Sequence, residues 1–178
     1  MGYGVRPELA HLAMLAGVGR AHHVRLMSRA FVKEADENQV EELPERPISS
    51  APNLVTPEGL AAIEGEIARL SEAQTQAGED RDARARIARD LRYWTARRAS
   101  AQLVPPPSDT TVVHFGSTVT IDRQDGRRQT FRIVGEDEAG PERGTLSHIA
   151  PLARTLIGKP VGDVVQVAGG EAEIVEIG

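Results

Sequence analysis

An α+β protein, a helical hairpin followed by a small antiparallel sheet domain with one short helix, is predicted by three observations. Between residues 55 and 104, apolar residues recur every three or four positions in two blocks separated by a Gly-containing turn. The run Pro105-Pro106-Pro107 then stops that pattern. Beyond it, β-branched residues fall in short runs, with Asp125-Gly126 and Gly169-Gly170 between neighbours as hairpin turns.

Thr56 suits a helix N-cap, Pro57 the first helical position and Glu58 the positive end of the helix dipole, so the first arm starts there. Leu60, Ile63, Ile67 and Leu70 then follow at spacings of three, four and three, the narrow seam of a coiled coil. After Ala77-Gly78-Glu79-Asp80, the segment Asp82 to Leu103 offers Ile87, Leu91, Trp94 and Ala101 in the same register, with Arg98 interrupting the seam. Two helices joined by so short a turn pack antiparallel. Each seam finds its partner within the chain, so a monomer is expected.

The second domain spans residues 109–178. Its predicted strands are Val112 to Phe115, Val119 to Ile121, Thr130 to Val134, Val164 to Val167 and Glu173 to Ile177. One helix interrupts them, from Pro151 near its start to Gly158 at its stop.

Residues 1–26 carry an apolar run, Leu9 to Val18, broken by His11 and too short to span a bilayer. No small-x-small cleavage site follows it. This segment is expected to be an unstructured extension, with translation naturally starting at Met27. Residues 27–54 read as an acidic, proline-rich tail: Lys33 to Arg46 holds six acidic and two basic residues, and Pro44, Pro47, Pro52 and Pro57 follow among few apolar ones.

The 178 residues contain no cysteine, which excludes disulfides, thiolate metal sites and cysteine nucleophiles and fits a reducing compartment. A formal net charge of -5 excludes adhesion to nucleic acid by bulk charge. Six aromatic residues are too few for a base-stacking platform. No Gly-rich phosphate loop, nucleophile elbow or paired-histidine helix appears, and His114 and His148 stand singly in or beside predicted strands.

Charge is concentrated locally. Residues 81–98 contain seven arginines against Asp82 and Asp90. Two readings of this basic helix stand: a stripe that binds a phosphate backbone, or a solvated face paired with Glu64, Glu66 and Glu72 of the opposite arm. At the turn, Glu79, Asp80 and Asp82 are either a solvated acidic tip or carboxylates able to share a magnesium ion.

Several stretches together resemble a known family. Val55-Thr56-Pro57-Glu58-Gly59-Leu60 heads the hairpin, and Phe115-Gly116-Ser117-Thr118-Val119-Thr120 opens the second domain. Asp125-Gly126 is followed by Phe131-Arg132-Ile133-Val134-Gly135-Glu136-Asp137-Glu138. Then come Pro151-Leu152-Ala153-Arg154, Leu156-Ile157-Gly158-Lys159, Gly162-Asp163 and Gly169-Gly170-Glu171. In order and spacing these resemble the bacterial transcript-cleavage factors GreA and GreB over residues 55–178, most closely from 112 onward.

The resemblance implies an FKBP-like second domain that docks on the rim of the RNA polymerase secondary channel through Ile149, Ala150, Pro151, Leu152 and Arg154, with the hairpin entering the channel. It further implies that Arg81, Arg84, Arg86, Arg89 and Arg92 face the nascent RNA. Glu79, Asp80 and Asp82 would share a magnesium ion with the polymerase active site, which itself cleaves backtracked RNA; the chain would hold no cofactor of its own. Three departures stand out. The tip reads Gly78-Glu79-Asp80-Arg81-Asp82-Ala83 where the family has Gly-Asp followed by Glu-Asn. Each arm is shorter than the family's by roughly ten residues, about 15 Å of reach. Ala150-Pro151 stands where the family has Ser-Pro.

The expected function is therefore that of a cytoplasmic, RNA polymerase-binding regulator of elongation that is not itself an enzyme and has no membrane partner. It either stimulates cleavage or, with its short hairpin, occludes the channel without cleavage. A peptidyl-prolyl isomerase built on the FKBP-like domain is opposed by composition, since after residue 110 only Phe115 and Phe131 are aromatic. A module that binds nucleic acid by itself rests on the arginine stripe and predicts salt-sensitive RNA binding.

Overall fold

The computed structural model describes residues 43–178; the expectations for residues 1–26, for a start at Met27 and for residues 27–42 lie outside them. A short strand β1 (Leu54–Val55) leads into α1 (Pro57–Gln76), and α2 (Arg81–Ser100) returns to β2 (Gln102–Leu103). Thr56 caps α1 as the sequence predicts, its hydroxyl accepting the Gly59 N–H at 3.0 Å with Pro57 in the first turn. Gly59, Ile63 and Leu70 are buried along α1, with Leu60 and Ile67 half-buried beside them. The second arm departs from expectation at its end. Ala101 turns extended, so α2 stops at Ser100 and Gln102–Leu103 pair in parallel with Leu54–Val55. This two-residue ladder joins the chain entering the hairpin to the chain leaving it.

The seam also differs from the one predicted. Arg98 does not interrupt it: its guanidinium is half exposed and reaches across to Glu64 at 2.7 Å. The buried arginine of α2 is Arg97, 2% exposed, which faces the sheet domain. Of the acidic partners expected on the first arm, only Glu64 crosses; Glu66 pairs with Arg69 on its own helix at 2.6 Å, and Glu72 accepts from Gln76.

The second domain is a five-stranded sheet. Its strands β3 (Thr118–Arg123), β4 (Arg128–Val134), β5 (Thr145–Ser147), β6 (Val164–Val167) and β7 (Gly170–Ile177) lie in the order β5-β4-β3-β7-β6, with α3 (Pro151–Leu156) between β5 and β6 in the chain. Both predicted turns form: Asp125-Gly126 joins β3 to β4, and β7 begins at Gly170. One face carries the core, where Val113, Val119, Ile121, Ile133, Ala153, Leu156, Val165, Ala172 and Ile174 pack together. Each fully buried Ile or Leu here contributes about 1.5–3 kcal/mol.

Two corrections concern the strands. The sheet is not wholly antiparallel, because β5 pairs in parallel with β4 in the register Arg132↔Thr145, Ile133↔Leu146 and Val134↔Ser147. The chain reaches that position through two single-turn 3-10 helices, Glu136–Glu138 and Pro141–Arg143, a route the turn-rich sequence concealed. Val112 to Phe115 is not a strand. Val112 makes only an isolated bridge to Pro160, and Val113 exchanges backbone hydrogen bonds with Lys159 and Gly158, so this segment fastens the end of α3. Gly158, at φ 82°, ends that helix as expected. Among the described residues, no helix is long and apolar enough to cross a membrane.

Candidate functional site

The hairpin tip comes first, because the sequence assigns it chemistry. Glu79, Asp80 and Asp82 are all exposed. Asp80 is the N-cap of α2: its carboxylate accepts the Ala83 N–H at 3.0 Å. Among the described residues, no three His, Cys, Asp or Glu side chains gather to hold a metal ion. In the chain by itself one carboxylate is committed to the backbone and the others have no convergent partner; magnesium shared with a polymerase active site is a proposal that concerns the complex. Asp80→Ala is expected to cost about 1 kcal/mol through the lost cap, read as a fall in helical circular dichroism and a small drop in Tm.

The five arginines assigned to RNA are not equivalent. Arg84 and Arg86 are exposed and make no ion pair among the described residues, and Arg81 is exposed as well. Arg89 is half-buried against Asp90 at 3.1 Å, and Arg92 pairs with Glu45 at 2.5 Å. At about 100° per residue, positions 81, 84 and 92 fall on one side of the helix and 86 lies away from them. The basic helix is thus a broad charged surface, partly neutralised by its neighbours.

The expected docking residues sit together at the start of α3. Ala150 is its N-cap and Pro151 its first residue; Ile149 and Leu152 are half-buried, while Pro151 and Arg154 are exposed. Ala150, Pro151 and Leu152 line a mostly apolar groove of about 440 Å³ with Leu146, Thr155 and Val167. Ile149 and Arg154 are outside its lining. Ser147 Oγ accepts weakly from the Ile149 N–H at 3.4 Å and helps shape the turn before α3.

Sequence reasoning missed the joint between the two parts of the molecule. One acidic 3-10 turn, Glu136-Asp137-Glu138, grips both arms of the hairpin. The Glu138 carboxylate accepts the Thr56 N–H at 3.0 Å, the Thr56 hydroxyl and the Gly135 N–H at 3.1 Å. Its negative charge also lies at the N-terminus of α1, where the helix dipole favours it. Gly59 makes this approach possible, since a Cβ there would lie 2.0 Å from the Glu138 carboxyl carbon. On the other arm, Asp137 accepts from Arg97 Nε at 2.5 Å and from the Tyr93 hydroxyl at 2.6 Å, while Glu136 stands 3.8 Å from Arg97 Nη2.

Burial and the hydrogen bond to Asp137 push the Tyr93 phenol up to about 12. Asn53 completes the joint, its amide donating to the Arg97 carbonyl at 2.8 Å and to Ser100 Oγ at 3.1 Å. A third link runs from Arg132 of β4 to Glu58 at 3.2 Å. The carboxyl of Glu58 is held below its usual range by hydrogen bonds from its own backbone and Thr56, with the Arg132 charge adding to them. Thr56-Pro57-Glu58-Gly59 and Gly135-Glu136-Asp137-Glu138 are both visible in the sequence as motifs. Nothing in it pairs two stretches about eighty residues apart.

Residues 108–178 match the family described as transcription elongation factor, GreA/GreB, C-term. Transcription elongation factor GreA of Jannaschia sp. (strain CCS1) is 35% identical over 134 residues, covering 64% of this chain and 86% of that protein. Transcription elongation factor GreB of Neisseria meningitidis serogroup B (strain ATCC BAA-335 / MC58) is 42% identical over 92 residues, 49% of this chain and 56% of that one. Among solved structures, GreA factor homolog 1 of Thermus thermophilus overlays at 25% identity and a TM-score of 0.35, covering 72% of this chain and 99% of that one. With more than four fifths of a GreA matched at 35% identity, the chain belongs to the GreA/GreB family of transcription elongation factors.

Proposed function

We propose that this protein binds RNA polymerase through the α3 groove and holds its hairpin in the secondary channel, regulating elongation without being an enzyme itself. The observation that carries this reading is the joint: because Glu136-Asp137-Glu138 clamps both arms at their base, docking one domain sets where the hairpin tip points. A loosely tethered hairpin would lose most of the benefit of docking, since positioning is what such a device supplies. Purified chain is expected to bind core RNA polymerase at micromolar concentration or better, and Leu152→Glu, which puts a charge in the apolar groove, to weaken binding at least tenfold. Absence of binding by the unmodified chain would refute the proposal.

Between stimulating cleavage and occluding the channel, the tip favours occlusion. Its carboxylates do not converge, Asp80 is spent on capping, and arms of 20 residues each reach about 30 Å. A stalled, backtracked elongation complex given this protein is expected to show no added 3′-end shortening of labelled RNA while nucleotide addition slows. Shortening that an Asp80→Ala, Asp82→Ala variant loses would reverse that choice and leave polymerase binding intact.

A further inference from the structure

The groove beside α3 is lined unevenly. Among the described residues around it, Leu146, Ala150, Pro151, Leu152 and Val167 are apolar, and Arg123 is the one charged side chain. Arg123 ends β3 with its side chain only 11% exposed. Its guanidinium is held in place mainly by neutral groups: Nη1 donates to Gln129 Oε1 at 3.2 Å and Nη2 donates to the Ala168 carbonyl, while Nε is buried without an acceptor. Gly169, at φ 90°, leaves room beside it, since a Cβ there would press on Nη2 at 3.2 Å. Asp125 stands 3.8 Å from Nε but is committed to Arg127, accepting from Nη2 at 2.6 Å, from Nε at 2.9 Å and from the Arg127 backbone N–H at 3.1 Å. Arg123 thus brings a positive charge to an apolar groove, with no carboxylate of the described chain hydrogen-bonded to it.

We infer that this groove selects a polymerase segment that is apolar along its length and acidic at one end, with the carboxylate meeting Arg123. The inference rests on the reading of the groove as the polymerase dock and adds the sign of the charge that fits it. A guanidinium already oriented by two neutral acceptors loses little freedom when it takes a carboxylate, and its planar fork suits that geometry. Apolar contacts alone would accept many greasy segments. A charge that must be matched rejects those lacking a carboxylate, because covering an unpaired guanidinium is costly.

The test measures affinity for core RNA polymerase across a salt series, using the full chain and its full-length variants Arg123→Gln, Thr155→Lys and Thr155→Glu. Arg123→Gln is expected to bind about tenfold weaker at low salt, with a shallower salt dependence than the parent. Thr155 lines the same groove from α3, so its two variants place opposite charges there without altering Arg123. At physiological salt, where distant surface charges are screened, Thr155→Lys is expected to bind about tenfold tighter than Thr155→Glu. That comparison stands even if Arg123→Gln fails to fold. Equal binding by the Thr155 pair, tighter binding by Thr155→Glu, or an Arg123→Gln variant that keeps the parent's salt dependence overturns the acidic occupant and leaves the dock standing. If the parent does not bind polymerase at micromolar concentration, the docking reading fails and the inference with it.

Discussion

Arg97→Ala is expected to lower the stability of this protein by roughly 3 kcal/mol, because it strands the carboxylate of Asp137 in a site with little access to water. Arg97 is 2% exposed and Asp137 12%, so neither can turn to solvent in compensation. The hydroxyl of Tyr93 would remain on Asp137, yet one neutral donor does not replace a guanidinium. Urea denaturation followed by circular dichroism measures the loss. The triple change Arg97→Met, Tyr93→Phe and Asp137→Leu, which removes the charges and the hydroxyl together, is expected to recover most of it. Burying matched apolar groups is often no worse than burying an ion pair. A loss below 1 kcal/mol in Arg97→Ala would mean that the joint is wet.

Gly135→Ala is the second substitution with a large expected effect, about 2–3 kcal/mol. A Cβ at Gly135 would lie 2.5 Å from the carbonyl oxygen of Leu54 and 2.7 Å from Glu138 Oε1. The carboxylate can move aside, but the carbonyl belongs to β1 and is held by the ladder with β2. Backbone conformation is not the obstacle, since φ at Gly135 is -66°, open to any residue. The cost is therefore steric and falls on the contact between hairpin and sheet.

Orientation provides a readout separate from stability. The chain has no cysteine, so two introduced ones, in place of Glu79 at the tip and Glu176 on the sheet, accept spin labels at those positions alone. A single narrow distance distribution is expected for the parent and a broadened one for Gly135→Ala. An unchanged narrow distribution in the variant would show that the clamp tolerates the displacement.

Local structure was largely legible in the residue order. The Thr56 cap, the Pro57 start, the Gly158 stop and the two Gly-containing strand turns depend on neighbours within a few positions, where backbone sterics and side-chain reach decide the outcome. The hairpin was legible for the same reason, since apolar spacing encodes a helix face. What the residue order left open was the choice between adjacent residues and the joint between hairpin and sheet. Arg97 and Arg98 are identical neighbours, and only the position of the sheet domain sends the first inward to Asp137 and leaves the second to Glu64.

β5 escaped notice because three residues of a parallel edge strand carry little periodic signal. At the acidic tip, Glu79, Asp80 and Asp82 are close in sequence, and only the structure shows that the helix start places the Asp80 carboxylate on a backbone N–H. Composition and pattern by themselves determined a helical hairpin, a small α+β domain and a local excess of arginine. The tertiary structure alone decided that Glu136-Asp137-Glu138 closes on both arms and that Glu45 and Arg46 lie on α2. Those contacts join residues forty to eighty positions apart. Their geometry depends on how whole elements pack, a quantity no local window of sequence contains.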